Sequence, residues 1–283
     1  MFCFKSYIIN TMKTLGIEVK HMKLKWYGTA TILLEHNGTQ LLFDPFFSLN
    51  DKLFKPSMEE LSASDNIFVT HGHLDHIVDI PNILKQGDGE AAVHCTAKPC
   101  ETLIAKGVDE ARIHKIIPGD VLSFVPFEVR VLKGKHIVFD MGIIIKTLFN
   151  MRILSDWVNF IYMAKENRQC VEAGETVIYD ISVSCKRILL MGSLNLDDNT
   201  NYPKSADLLI MPLQGRSDIN KYAMRFVERL QPKKIFLNHI DDTFPPISSE
   251  VNTNPFMSLM RQRYPEIPVI CQQASAEWIE IFV

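Results

Sequence analysis

The stretch His71-Gly72-His73-Leu74-Asp75-His76 constrains this chain more than any other part of its sequence. It follows directly on Ile67–Thr70, a short apolar run rich in β-branched residues that reads as a buried strand. Three imidazoles and one carboxylate therefore sit on one tight loop, with Gly72 permitting the sharp turn. Imidazole nitrogen is a good ligand for borderline-soft divalent cations, and carboxylate oxygens complete such sites. A solvated histidine-rich loop is the plain alternative, but ligand-type residues at this density favour a metal.

Residues of the same kind recur where other strand-like runs stop. Asp44 and Pro45 follow Leu42-Phe43, His136 follows the alternating run Phe127–Leu132, and His239 follows Ile235–Asn238. Loops at strand ends are held by a rigid scaffold, so side chains distant in sequence can converge at one edge of a sheet. Asp44 is also readable as a turn former before Pro45. His21, His36, His94 and His114 lie in the N-terminal stretch or inside strand-like runs and are read as surface or core residues. Lys135, Gln214 and Arg216 lie on or near the same loops and are placed to grip an anionic substrate group, although solvated polar side chains are the default there.

The remaining pattern is one of many strands with interspersed helices. Thr31–Pro45 reads as a hairpin turning at Asn37-Gly38, the pair best suited to a tight primed turn. Thr176–Val183 and Arg187–Met191 suggest a second hairpin, and Lys23–Tyr27, Ala92–Cys95, Arg112–Ile117, Ala206–Met211, Pro268–Cys271 and Glu277–Phe282 further strands. Helices are expected after Asp79, read as an N-cap, and over Asp218–Leu230 and Pro255–Arg263. Two such halves imply an α/β sandwich, with sheets packed face to face and helices outside. No glycine-rich nucleotide-binding motif is present.

Residues 141–170 break that rhythm. Their wealth of Ile, Phe, Met and Trp fits a pair of helices packed on the core, and equally a lid or cap over the site. Residues 1–21 read as an N-terminal extension, with Met22 an alternative start, and 22–283 as a single domain. The extension's apolar run is broken by Lys5, Ser6 and Asn10 and followed by no small-residue cleavage site, so it is read as non-secretory. The six scattered cysteines form no C-x-x-C pair, which suits reduced thiols in the cytoplasm. A formal net charge of -3 excludes a global field attracting nucleic acid or anionic lipid and leaves room only for a local basic patch. No apolar run is long enough to span a bilayer.

The motif HGHLDH resembles the H-x-H-x-D-H signature of the metallo-β-lactamase superfamily, and the preceding LLFDP (41–45), the later GKH (134–136) and the late NHIDD (238–242) stand in the expected order. Within it the layout is most similar to the branch holding ascorbate-phosphate lactonase and phospholipase-D-like relatives. The resemblance covers roughly Met22 to Val283 and implies an αββα sandwich of two mixed sheets. It further implies that His71, His73 and His136 hold one metal and Asp75, His76 and His239 a second, with Asp44 orienting the motif loop or one of its histidines. Zn²⁺ is the expected ion, with Mn²⁺ or Fe²⁺ as alternatives. Members of the superfamily usually carry a bridging aspartate where this chain has Ser193. Either one metal dominates, or Asp197 or Asp198 swings in, or the site no longer catalyses.

The expected chemistry is hydrolysis of an ester, lactone, amide or phosphodiester by activated water, with Asp75 as the acid that orients it. The implied partner is a small molecule, anionic or lipophilic, with no nucleic acid. A non-catalytic binding protein on the same fold, and a nucleic-acid-processing relative, are the competing classes.

Overall fold

The computed structural model describes residues 22–282, so expectations for residues 1–21, His21 among them, lie outside the described residues. Two seven-stranded mixed sheets face each other. The first contains β1 (Met22–Gly28), β2 (Thr31–His36), β3 (Thr39–Phe43), β4 (Asn66–Phe68), β5 (Ala92–Cys95) and β6 (Ile113–Lys115), with β14 (Ile279–Phe282) beside β1. The second runs from β7 (Val121–Phe124) through β8 (Phe127–Lys133), β9 (Val177–Val183), β10 (Lys186–Met191), β11 (Leu208–Pro212) and β12 (Ile235–Asn238) to β13 (Val269–Ile270).

Period-two alternation decides what each strand buries. Ile32, Leu34, Leu41 and Phe43 point into the core between the sheets, while their neighbours Leu33 and Leu42 join a second cluster on the outer face. Across the central core Phe43 meets Tyr179 at 5.5 Å between ring centres, and Trp26 meets Phe236 at 6.2 Å. The outer cluster is covered by α1 (Met58–Ser62), α3 (Ile80–Gln86) and α4 (Ala97–Ala105) through Leu61, Ile83 and Leu103. A short α2 (Leu74–Ile77) precedes α3, while α8 (Ile219–Leu230) and α9 (Asn254–Arg263) contribute Phe226 and Phe256 to the central core.

Strand direction positions the site. β1 and β3 run parallel to β4, and β8 runs parallel to β10, β11 and β12, because each of the first two is one antiparallel step removed by an intervening strand. The loops after β1, β3 and β4 thus leave one edge of the first sheet, and those after β8, β10 and β12 one edge of the second.

The hairpins turn as their residues dictate. Asn37 and Gly38 both adopt positive φ (55° and 87°), the primed turn that right-twisted strands require. The second hairpin turns at Ser184 and Cys185, again with positive φ, and no local signal marked them. The reading of the chain missed α1, α4 and β7, and Arg112–Ile117 and Pro268–Cys271 shrink to Ile113–Lys115 and Val269–Ile270. Asp79 occupies the N-cap position of α3 but does not cap it; its Oδ2 accepts from the Phe47 amide at 2.7 Å.

Residues 141–170 form three helices, α5 (Met141–Leu148), α6 (Arg152–Ser155) and α7 (Trp157–Glu166), rather than a pair. Little of them packs on the core: Met163 is buried in the outer cluster with Tyr162 against it, the other described side chains of these helices are not buried, and Phe149 just past α5 is 81% exposed. Hydrogen bonds tie them down instead, from Asn150 to the Pro246 carbonyl and from Asn159 to the Leu49 carbonyl.

Burial pushes the Asp79 carboxyl up to about 6, the Phe47 amide opposing. A carboxyl raised in the folded state binds its proton more tightly there than when unfolded, so stability falls as pH rises through the window between about 4 and about 6. Asp79→Asn keeps an acceptor for Phe47 and removes this loss. It should stabilise the protein by about 2 kcal/mol at pH 7.5 and by little at pH 4, read from urea unfolding at both pH values.

Candidate metal centre

The site is built around Asp44, which ends β3 at positive φ (45°) with no solvent exposure. Its Oδ1 accepts from the Thr70 amide at 2.7 Å and its Oδ2 from the Thr70 hydroxyl at 2.6 Å. The same Oδ2 lies 2.9 Å from His76 Nδ1. One carboxylate thus pins the end of β3 to the start of the histidine loop and to one of its imidazoles.

These contacts settle where protons sit. A carboxylate only accepts, so His76 carries its proton on Nδ1 and turns Nε2 outward. The single Thr70 hydroxyl proton goes to Asp44, so its 3.1 Å contact with His71 Nδ1 needs an N–H from His71. His136 Nδ1 donates to the Ile137 carbonyl at 2.9 Å by the same logic. In all three rings Nδ1 is engaged by the protein, which leaves Nε2 as the nitrogen that can ligate a cation.

The rings meet. His71 and His76 lie 3.9 Å apart between ring centres, His73 and His136 4.6 Å, and His71 and His136 5.0 Å. Ligand atoms of His71, His73 and His136 all fall within 4.8 Å of one another, as do those of Asp75, His76 and His239. The ligand set read from the sequence is thereby brought together, with both sheets contributing. Burial depresses His71 well below an ordinary histidine, assisted by its imidazole neighbours, and takes His136 down to about 4. Burial works against ionisation of Asp75, but His76 and His239 more than offset it and hold its carboxyl below the usual range. His76 is buried too, but Asp44 and Asp75 more than offset that and raise it. Depressed imidazoles at His71 and His136 beside a firm anion at Asp75 make a donor set that suits a divalent cation.

His239 takes its place by a device the sequence reading did not find. It sits at positive φ (55°), and its amide donates to the Thr29 carbonyl at 2.7 Å. Asp241 reaches back to accept from the Thr29 amide through both oxygens. A Cβ on Gly28 would stand 2.9 Å from Asp241 Oδ2, so this approach needs glycine there. His239 Nε2 then lies 3.1 Å from Asp75 Oδ2.

Ser193 is buried, and its hydroxyl accepts from the Ile137 amide at 3.0 Å, fixing the backbone beside His136. The neighbouring acids do not replace the missing aspartate. Asp197 is engaged by Lys133 and Thr200, and Asp198 faces Arg229 at an exposed position. Gly192 explains the close fit of this turn, because a Cβ there would lie 1.9 Å from Thr70 Oγ1. Thr70, marked only by adjacency to the motif, and Gly192, far from it in sequence, are thus working parts of the turn. Lys135 is exposed, Gln214 donates to the Ser249 carbonyl, and Arg216 pairs with Asp218.

The chain is similar to known proteins in sequence and in fold. The family model of the beta-lactamase superfamily domain matches residues 39–240. A UPF0173 metal-dependent hydrolase of Salinibacter ruber is 25% identical over 235 residues, covering 82% of this chain and 89% of that protein. One from Azorhizobium caulinodans is 33% identical over 119 residues, 41% of this chain and 49% of the relative, so that match spans about half its length. Igni18, a metallo hydrolase from Ignicoccus hospitalis, superposes with a TM-score of 0.59 at 16% identity, over 91% of this chain and 97% of that one. At that identity the likeness concerns the fold.

Removing the Asp44 carboxylate frees His76 to rotate and leaves the Thr70 amide buried without a partner. Asp44→Ala should weaken Zn²⁺ binding by about 10- to 100-fold in a competition titration, with Asp44→Asn in between. Gly192→Ala should cost about 1–3 kcal/mol in denaturant unfolding, through overlap with Thr70.

Proposed function

Because the chain belongs to the beta-lactamase superfamily, matched over residues 39–240, we propose that it is a hydrolase that holds one or two divalent cations between His71, His73, His136 and Asp75, His76, His239. The observation that carries this reading is the pair of three-residue donor groups, each within 4.8 Å, meeting at one edge of the sandwich. Mixed imidazole and carboxylate donors suit Zn²⁺ first and accommodate Mn²⁺ or Fe²⁺. When bound, such an ion makes water nucleophilic near neutral pH and stabilises charge on an acyl or phosphoryl oxygen.

The chain's own residues supply the rest. Asp44 and Thr70 hold His71 and His76 in the tautomers that ligate, at no cost at the moment of reaction. Asp75 stays ionised and is the acid suited to orienting water and accepting its proton. The substrate is a small molecule with an ester, lactone, amide or phosphodiester bond. Phe139, whose ring centre lies 5.8 Å from that of His136, supports an apolar wall beside the site. Five free cysteines among the described residues support a reducing, cytoplasmic setting, and no described helix is long and apolar enough to cross a membrane.

Ser193 brings a neutral hydroxyl where a bridging carboxylate would join two ions, so one ion binds firmly and the other weakly. Elemental analysis of the wild type should find closer to one ion than two per chain, and Ser193→Asp should raise the content. Equal stoichiometry in both defeats this part of the reading. A panel of ester, lactone and phosphodiester substrates tests the activity: turnover should vanish on chelation and fall by at least about a thousandfold in His73→Ala. Turnover that survives both rules the hydrolase mechanism out, and a metal content near zero would favour a binding protein on this fold.

A further inference from the structure

The helices α5 to α7 expose apolar side chains that neither the fold nor the metal centre uses. Phe149, Met151, Leu154, Trp157, Val158 and Ile161 are each between 56% and 81% exposed. Singly exposed apolar residues are ordinary, but a run of this size on adjoining short helices marks a docking surface. α7 shows the pattern most plainly. Trp157, Val158 and Ile161 stand on one helical face, and the same face continues through Ala164 to Lys165 and Arg168 just past its end, all of them exposed. Its other side carries the buried Met163 and the Asn159 tether, so the apolar outer face is no accident of loose packing.

The charges on this arm are one-sided. Its three carboxylates are engaged: Asp140 by Ser217 and Arg216, Asp156 by Ser155 and Arg152, and Glu166 by Lys106. Lys165 and Arg168 have no ionic partner among the described residues. A chain of net charge -3 thus turns an uncompensated positive rim toward whatever covers the apolar face. An isologous dimer through this face would bring the same two cations from each copy and no free carboxylate to meet them. Residues 1–21 fit no better, since they carry Lys5, Lys13 and Lys20 against Glu18 alone.

We propose that α5–α7 is a peripheral docking element for an anionic lipid surface, with the six apolar side chains entering the interface and Lys165 and Arg168 meeting the headgroups. Tryptophan with flanking Lys and Arg is the composition such an interface selects. The arm also borders the metal centre: Arg152 pairs with Asp242 at 2.7 Å on the loop after His239, and Phe139 lies against His136. Docking therefore brings that centre to the membrane surface, although the binding itself does not depend on the hydrolytic reading.

The test is sedimentation of the full chain with vesicles of phosphatidylcholine alone, or with about one third phosphatidylglycerol. Binding should be at least about tenfold stronger to the anionic vesicles and should fall by about tenfold or more in the Lys165→Glu, Arg168→Glu double variant. Leu154→Ser with Trp157→Ser should reduce it to background, with unfolding curves establishing that this exposed double variant is folded. Trp157→Phe should keep binding while losing most of the blue shift of tryptophan emission on vesicle addition. No binding to anionic vesicles overturns the proposal, as does binding indifferent to these substitutions. A dimer that Leu154→Ser and Trp157→Ser dissolve, in a protein that ignores vesicles, assigns the face to a second copy instead.

Discussion

The buried Asp44 carboxylate is the constraint on which the candidate metal centre rests. It lies at the end of β3, yet both of its oxygens are spent on Thr70 and one of them on His76 as well. A carboxylate removed from water is costly unless its lone pairs are satisfied, and here amide, hydroxyl and imidazole satisfy them. In return the loop after β4 has little freedom left. The same contacts that stabilise the charge choose the tautomers of His71 and His76, so stability and ligand preparation are one arrangement.

The second sheet adds its residues by separate devices. His136 is held by its own Nδ1 bond to the Ile137 carbonyl, and Ile137 in turn by Ser193. His239 is held by the grip of Asp241 on Thr29, across to the first sheet. Each half therefore carries donors that the other half completes, which makes the centre a reporter of correct sheet packing. Ser193 keeps its structural bond while surrendering the negative charge expected there.

Against this economy the α5–α7 arm is an exception. Apolar patterning ordinarily signals a face turned to the core, and by that rule these helices belong inside. Their described apolar side chains are mostly exposed, however, and the protein holds them chiefly through Asn150, Arg152, Asn159 and the buried Met163. A surface that departs from the usual composition at a definite place, next to the centre, is where binding specificity is expected to reside.

Much of this was written locally. The ligand types of HGHLDH, the Asn37-Gly38 turn and the alternation of β2, β3 and β8 depend on neighbours in sequence, and they pointed to an α/β sandwich without coordinates; His136 and His239 joined the candidate donors through the resemblance to a family. What distance along the chain concealed, only the folded molecule decided. The 192–193 turn had to approach Thr70, the Gly28–Thr29 corner had to receive Asp241, and Asp79 turned from capping its helix to holding Phe47. Whether an apolar helix is core or surface also depends on how much apolar area the rest of the fold leaves to cover it. Local pattern records which residues can ligate, turn or alternate; burial, tautomer and partner are set by groups brought together from elsewhere in the chain.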